Sequence, residues 1–315
     1  NFEVISNPEF LAEGTAIDDL FKSDRILIGG DSTKRGSIAV NLLVDIYKRW
    51  VPEDKILKTN VWSSELSKLV SNAMLAQRIS SINSISALCE KTGANIEEVS
   101  LAVGLDSRIG NSFLKSSIGF GGSCFKKDIL NLVYIAKLYG LNEVADYWEQ
   151  VVTINNYQTK RFGNKILEAF NSNLEGRVVS ILGWAFKKNT NDSRESASIY
   201  LAKILLSEGA IINIYDPMVN QSRIIDDIKN LFNNINKNEM EKILSRVNLF
   251  NTAYQAVEES NLVSICTEWE EFIKLNWSKV FDIMKKPSWV FDGRNLIEKS
   301  TLEELGFKTF VIGQS

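Results

Sequence analysis

The chain has 315 residues, 44% apolar and 24% charged, a balance that excludes a disordered or low-complexity chain and leaves room for more than one hydrophobic core. Its 36 basic and 39 acidic residues give a net charge of −3, which supplies no electrostatic basis for binding nucleic acid or an anionic membrane, so any anionic ligand must be gripped locally. Cys89, Cys124 and Cys266 are odd in number and widely spaced, which fits a reducing compartment better than a disulfide framework. With no apolar run long enough to span a bilayer and no secretory signal at the amino terminus, the expected location is the cytoplasm.

The opening "NFEVISNPEF" carries no Met and reads as the interior of a longer sequence. Up to about Asn60 the strand-like runs "FEVIS" and "RILIGG" flank a helical stretch from Ser37 to Trp50, with Ile38, Leu42, Val44, Ile46 and Tyr47 as its apolar positions; this is the tail of an α/β unit. Leu66, Leu69, Val70, Ala73, Met74, Ile79, Ile82, Ile85 and Leu88 then recur at spacings of three and four, predicting one long helix that Ser63 caps and Gly93 stops. Because that many aliphatic positions must be buried, the stripe is expected to be mostly core, with part of it at a subunit boundary. Further helices are predicted at "NIEEVSLAVGL", from Lys126, and from Glu143 towards Phe170.

At "GRVVSILGWAF" the period changes to that of a buried strand over Arg177 to Leu182, followed by a loop and a helix beginning near Ser193 and ending at Gly209. The later strands "IINIYDP", "NLVSICT" and "SWVFDG" predict a doubly wound parallel sheet. In such a sheet Gly183 to Lys188, Asp216, Thr267 to Trp269, and Gly293 to Arg294 should converge on one crevice at the carboxyl ends of the strands.

The stretch "GFGGSCFKKD", residues 119 to 128, places a thiol on a flexible turn in a chain without histidine, so no Ser-His or Cys-His pair is available to activate a nucleophile. A helix beginning just after Gly122 would put Cys124 in its first turn, where the helix dipole, Lys126 and Lys127 all favour a thiolate. Asp128 would lie one turn further along the same face. For an arbitrary cysteine a buried core position is the more common outcome; here the surrounding glycines and lysines reverse that preference. On the long helix Lys68 and Asn72 share a stripe, which spacing alone equally allows to be a solvated face.

The segments "NPEFLAEGTAI", "WSSELSKLVSNAMLAQRISSINSISALCE", "GFGGSCFKKDILNLVY", "GWAFKKNTNDSRESASIY", "YDP", "CTEW" and "FDGR" together resemble the UDP-glucose 6-dehydrogenases of the eukaryotic type, within the UDP-glucose/GDP-mannose dehydrogenase family. The resemblance runs along essentially the whole chain. It implies an α/β fold in which residues 1–60 are the remnant of an NAD-binding Rossmann domain, 61–171 a helical central dimerisation domain, and 172–315 a Rossmann-like UDP-binding domain. It also implies an NAD-dependent four-electron oxidation of UDP-glucose to UDP-glucuronate. On that pattern Cys124 forms a thiohemiacetal and then a thioester, Lys68 and Asn72 stabilise negative charge at the C6 oxygen, Asp128 takes part in proton transfer, and Glu9 serves the water that hydrolyses the thioester. Phe10, Leu11, Lys115, Phe120, Gly121, Lys187 and Arg294 would line the substrate, Arg108 would reach the site of a neighbouring subunit, and Glu13 and Arg194 would lie near the cofactor.

The resemblance departs from the family where a Gly-rich dinucleotide turn should lie, since "GGDSTKRG" lacks the required spacing; the chain is therefore expected to be the carboxy-terminal two-thirds of an enzyme and inactive alone. Self-association into dimers and hexamers is implied; nucleic acid and membrane are not. Oxidation of another nucleotide sugar, such as GDP-mannose or UDP-N-acetylmannosamine, and a non-catalytic UDP-sugar-binding or oligomerisation module stand as alternatives.

Overall fold

The computed structural model describes residues 2–315. In chain order its first half runs β1 (Ile5–Ser6), α1 (Ala16–Phe21), β2 (Ile26–Gly30), α2 (Lys34–Tyr47), β3 (Ile56–Thr59), α3 (Val61–Thr92), α4 (Ile96–Gly104), α5 (Phe125–Leu138) and α6 (Asn142–Ala169). The second half contains β4 (Val178–Leu182), α7 (Ala197–Ser207), β5 (Ile211–Tyr215), α8 (Gln221–Leu231), β6 (Val247–Leu249), β7 (Leu262–Ile265), β8 (Trp289–Asp292) and β9 (Lys308–Val311), with short helices between the later strands. No helix among the described residues is long and apolar enough to cross a membrane.

Two compact units emerge, one formed by the residues up to Met74 with Asp128–Ala145, the other by Leu75–Lys127 with Asp146–Ser315. In the first, β2 pairs antiparallel with β1 and parallel with β3. Every residue of β2 is buried, and Ile26 and Ile28 pack with Val40 and Val44 of α2 and with Val51 and Ile56. Here α2 starts at Lys34 rather than Ser37, because the Thr33 hydroxyl accepts the Gly36 N–H at 3.0 Å and so opens the helix earlier. Of its predicted apolar positions Val44 is buried, whereas Ile38, Leu42 and Ile46 are exposed.

The predicted long helix is α3, but its start is set by Asn60, whose side chain accepts the Ser63 N–H at 2.8 Å; Ser63 lies inside the helix rather than capping it. Its stripe also differs from expectation. Ala73 and Ile82 are buried, but Leu66, Met74, Ile85 and Leu88 are exposed, as is Trp62. A helix with aliphatic residues on more than one face cannot bury them all against a single neighbour.

The second unit is built on a six-stranded sheet of order β6-β5-β4-β7-β8-β9, parallel throughout. The order steps outward from β4 on one side and from β7 on the other, which is the doubly wound arrangement, with its switch point between those two strands. Val179, Ile181 and Leu182 of β4, Ile212 and Ile214 of β5, and Leu201 and Leu205 of α7 are completely buried in its core. These near-continuous apolar strands are what a sheet covered on both faces requires.

Helix α7 begins at Ala197, after the Ser196 cap, rather than near Ser193. The intervening loop is held outside the helix by buried carboxylates. Asp216 accepts the Trp184 and Ala185 N–H groups at 2.7 and 2.9 Å and the Trp269 indole at 3.1 Å. Asp227 accepts the Trp184 indole at 3.0 Å and the Ser193 hydroxyl. Gly183 turns the chain out of β4 at φ 96°, where an added Cβ would lie 2.4 Å from that of Thr267. The segments after β4, β5, β7 and β8 therefore converge as expected from the strand pattern.

Candidate active site

The head of α5 carries the thiol. The helix opens at Phe125, so Cys124 immediately precedes it instead of occupying its first turn. Cys124 is exposed, with Ser123 Oγ 3.6 Å from its sulfur, while Cys89 and Cys266 are buried. Burial pushes the Cys266 thiol up to about 11 and raises that of Cys89, leaving both as protonated packing groups at neutral pH. The turn before Cys124 is fastened from beneath. Phe120 is buried, its N–H donates to Asn155 Oδ1 at 2.8 Å, its carbonyl accepts from Asn155 Nδ2 at 3.0 Å, and its ring meets Phe125 edge-on at 5.7 Å. Gly121 passes the backbone at 195 so closely that a Cβ would lie 2.5 Å from the Glu195 carbonyl oxygen.

Lys126 makes its hydrogen bonds away from the thiol. Its ammonium donates to Glu195 Oε2 at 2.7 Å and to the Tyr200 hydroxyl at 3.2 Å. Burial pulls the Lys126 pKa down, but those two partners outweigh it and hold it above its ordinary value. The trio lines part of a cavity of about 590 Å³ whose wall also includes Asn155, Lys160 and Lys203.

Among the proposed substrate residues, Arg294 follows β8 and is nearly enclosed, with 14% of its side chain exposed. Its Nε donates to the Cys266 carbonyl at 2.7 Å and its Nη2 to the Phe186 carbonyl at 2.9 Å, while Glu268 Oε2 lies 3.3 Å from Nε. Burial works to raise the Glu268 carboxyl, but Arg294, backbone N–H groups including that of Lys188, and Lys115 together hold it below the ordinary range. Asp292 accepts the N–H groups of Arg294, Leu296 and Ile297; its complete burial nevertheless pushes its carboxyl above the usual value. Lys187 lies over the Phe186 ring at 5.6 Å. Lys115 is exposed, and its charge acts on Glu268 and Asp292.

Two of the predicted charged residues stand apart. Arg108 is 86% exposed and paired with Asp106 two residues away, Nη2 to Oδ2 at 2.6 Å. Arg194 is half exposed and grips Asp192 through Nε at 3.0 Å and Nη2 at 2.8 Å.

In the other unit the predicted residues fall into two side-chain pairs. Lys68 Nζ donates to the Glu9 carbonyl at 2.5 Å and to Glu9 Oε1 at 3.0 Å. The Leu11 N–H donates to the other Glu9 carboxylate oxygen at 2.7 Å. Four residues along α3, Asn72 Nδ2 donates to Asp128 Oδ2 at 2.6 Å, and Asp128 is buried. The i, i+4 spacing of Lys68 and Asn72 thus turns both toward partners rather than solvent. Phe10 lies beneath two cations, Lys68 at 5.6 Å and Arg25 at 3.8 Å from its ring centre. Glu13 is half buried.

Arg25, Glu268, Glu195 and Tyr200 carry no individual role in the sequence reading. A lone arginine before a strand, a glutamate in a polar loop and a tyrosine on a helix carry no local periodic signal. They appear there only inside longer stretches: Arg25 in "RILIGG", Glu268 in "CTEW", and Glu195 and Tyr200 in "GWAFKKNTNDSRESASIY".

Three models of the UDP-glucose/GDP-mannose dehydrogenase family match the chain: the NAD binding domain over residues 1–51, the central domain over 62–157 and the UDP binding domain over 180–299. The chain is 51% identical over 314 residues to a UDP-glucose 6-dehydrogenase of Drosophila melanogaster, covering 100% of this chain and 65% of that protein. It is 52% identical over 318 residues to UDP-glucose 6-dehydrogenase 3 of Arabidopsis thaliana, covering 99% and 66%. A solved UDP-glucose dehydrogenase from the hyperthermophilic archaeon Pyrobaculum islandicum superposes with a TM-score of 0.79 at 31% identity, over 98% of this chain and 64% of that one. The chain therefore spans slightly less than two thirds of the length of these relatives.

Proposed function

Because this chain belongs to the UDP-glucose/GDP-mannose dehydrogenase family, we propose that the protein oxidises the C6 alcohol of UDP-glucose to the carboxylate of UDP-glucuronate, with Cys124 as the nucleophile. The observation that carries this reading is the contrast among the thiols: two are sealed in the interior, and Cys124 stands exposed after a glycine turn packed against Glu195 and Phe186. On the family pattern, the half-exposed Arg194 and the half-buried Glu13 are the residues that would face NAD, which when bound accepts two electrons in each of two oxidations.

The protein's own groups carry the remaining work. Lys68 holds negative charge at the C6 oxygen, aided by Asn72, and Asp128 receives a proton. Cys124 Sγ adds to the C6 aldehyde carbon, forming a C–S bond while the carbonyl oxygen becomes the alkoxide that Lys68 stabilises; this tethers the substrate until it is a thioester. Glu9 then takes the proton of the attacking water, and the C–S bond breaks to release the thiol and the acid.

On the binding side, Arg294, Lys115 and Lys187 supply positive charge for the diphosphate, and Phe10, Leu11, Phe120 and Gly121 line the sugar nucleotide. Arg108, free of the cores, is the group proposed to reach a neighbouring copy. Self-association into dimers, and of dimers into hexamers, is supported by the exposed Leu66, Met74 and Leu88 of α3 and Tyr134 and Leu138 of α5. We retain a division at residues 60 and 171, and a cytoplasmic location.

Intact-mass measurement after acid quench of the protein turning over UDP-glucose with NAD tests the reading. A UDP-glucuronyl adduct on Cys124 is expected, accumulating in Glu9→Gln and absent in Cys124→Ser. Full turnover by Cys124→Ser would refute the tethered intermediate, and preferential turnover of GDP-mannose or UDP-N-acetylmannosamine would reassign the substrate.

A further inference from the structure

The turn that carries Cys124 is joined to the loop before α7 by more than packing. The Gly122 N–H donates to the Arg194 carbonyl at 2.8 Å. One residue on, Glu195 sits at φ 54°, a left-handed conformation that costs any residue with a Cβ. Its carbonyl is the group that Gly121 closely approaches, and its carboxylate is held by both Lys126 and the Tyr200 hydroxyl. The third side of the triangle closes where Lys126 meets Tyr200. A strained backbone persists only where its surroundings over-determine it. Here two side chains meet the carboxylate of one strained residue and a backbone bond holds its neighbour, and two members of the set, Gly122 and Lys126, lie two residues on either side of the thiol.

We propose that Lys126, Glu195 and Tyr200 form a brace that fixes the Cys124 turn to the loop entering α7, making them positioning residues for the nucleophile. Glu195 sets the place of the loop, Lys126 ties the first turn of α5 to it, and Tyr200, one turn into α7, holds the carboxylate in the orientation Lys126 needs. The reason a glutamate tolerates a left-handed backbone is then the pair of bonds its side chain makes only from there. None of the three is required to touch the substrate. The proposal rests on the reading of Cys124 as nucleophile, because only a reacting sulfur gains from being held still.

A charge swap isolates the pair from general destabilisation. Lys126→Glu and Glu195→Lys, each alone, place like charges together; the double variant restores an ion pair in reverse. Each single variant is expected to speed amide hydrogen exchange of residues 119–125 about fivefold, the size expected for a half-exposed pair, and to lower kcat while leaving KM for UDP-glucose within about twofold. The double variant should recover most of both losses. If a single variant fails to fold, Lys126→Gln and Tyr200→Phe give the same test in milder form.

Unchanged exchange in the single variants, no recovery in the swap, or a loss confined to KM would overturn the brace. The exchange measurement does not depend on chemistry at Cys124. If Cys124→Ser kept full turnover while the swap pattern in exchange held, the functional reading and the positioning role would fail, and only the link between the turn and the loop would stand.

Discussion

The two units hold their proposed functional groups in opposite ways. In the unit built on β1, β2 and β3 the groups hold one another: Lys68 is on the carboxylate and the backbone carbonyl of Glu9, and Asn72 is on the Asp128 carboxylate, each across more than fifty residues of sequence. In the sheet unit Arg294 and the turn before Cys124 are tied through backbone groups: Arg294 donates to the carbonyls of residues 266 and 186, the Gly122 N–H donates to the carbonyl of residue 194, and both backbone groups of Phe120 bond the Asn155 side chain. A partly exposed ion pair such as Lys68–Glu9 is worth only about 1 kcal/mol or less, so a ligand can displace it at little cost. Backbone-held groups stay in place whether or not a ligand is present. The first unit is thus suited to exchanging partners during a reaction, and the second to presenting a fixed surface.

Substitutions should separate these two behaviours. If Lys68 has the proposed role at the C6 oxygen, Lys68→Met should lower kcat about 10²-fold with little change in KM, measured by steady-state turnover of UDP-glucose. Arg294→Met, in the fixed surface, should instead raise KM about thirtyfold, as expected for loss of a charged hydrogen bond worth about 2 kcal/mol. If both variants fell mainly in kcat, the contrast between the units would be lost.

Gly121→Ala tests the rigidity of the fixed surface. Its new methyl would meet the Glu195 carbonyl at 2.5 Å, and a loss of about 2 kcal/mol in unfolding free energy is expected from denaturant titration. At Gly176, where an added Cβ meets nothing within 4 Å, the cost should be that of the backbone angle alone.

The smallest expected effect is one of pH. The Glu268 carboxyl is held below the ordinary glutamate range in the folded protein and returns to it on unfolding. As pH falls the unfolded chain takes up that proton first, so the stabilisation is fully present above the ordinary value and disappears as pH passes through the folded one. The difference in Tm between the protein and Glu268→Gln should be largest near neutral pH and shrink below about pH 4. A difference that persisted unchanged in acid would mean that the Arg294 pairing contributes nothing through charge.

Much of the framework was legible in the residues. The three-and-four spacing of α3, the change to buried strands after Gly176 and the glycine turn before Cys124 all depend on chain neighbours, and all appear close to the expected places. The errors have a common origin. Ser63 was chosen as cap because its type is right, but Asn60 reached the open N–H; α7 was begun at Ser193, but the buried Asp227 takes that hydroxyl. Lys126 was read by its nearness to the thiol alone, and its ammonium bonds Glu195, 69 residues later.

The sequence by itself determined the α/β architecture, the sheet's crevice and which cysteine stands beside a flexible turn, since periodicity and glycine placement are written in consecutive residues. Which carboxylate meets which cation, which aliphatic side chains of α3 lie on the surface of the chain, and how Arg25 comes to lie on Phe10 were decided only when distant segments packed together. Pairing energies depend on distance in space, and a linear chain does not carry that distance until it has folded.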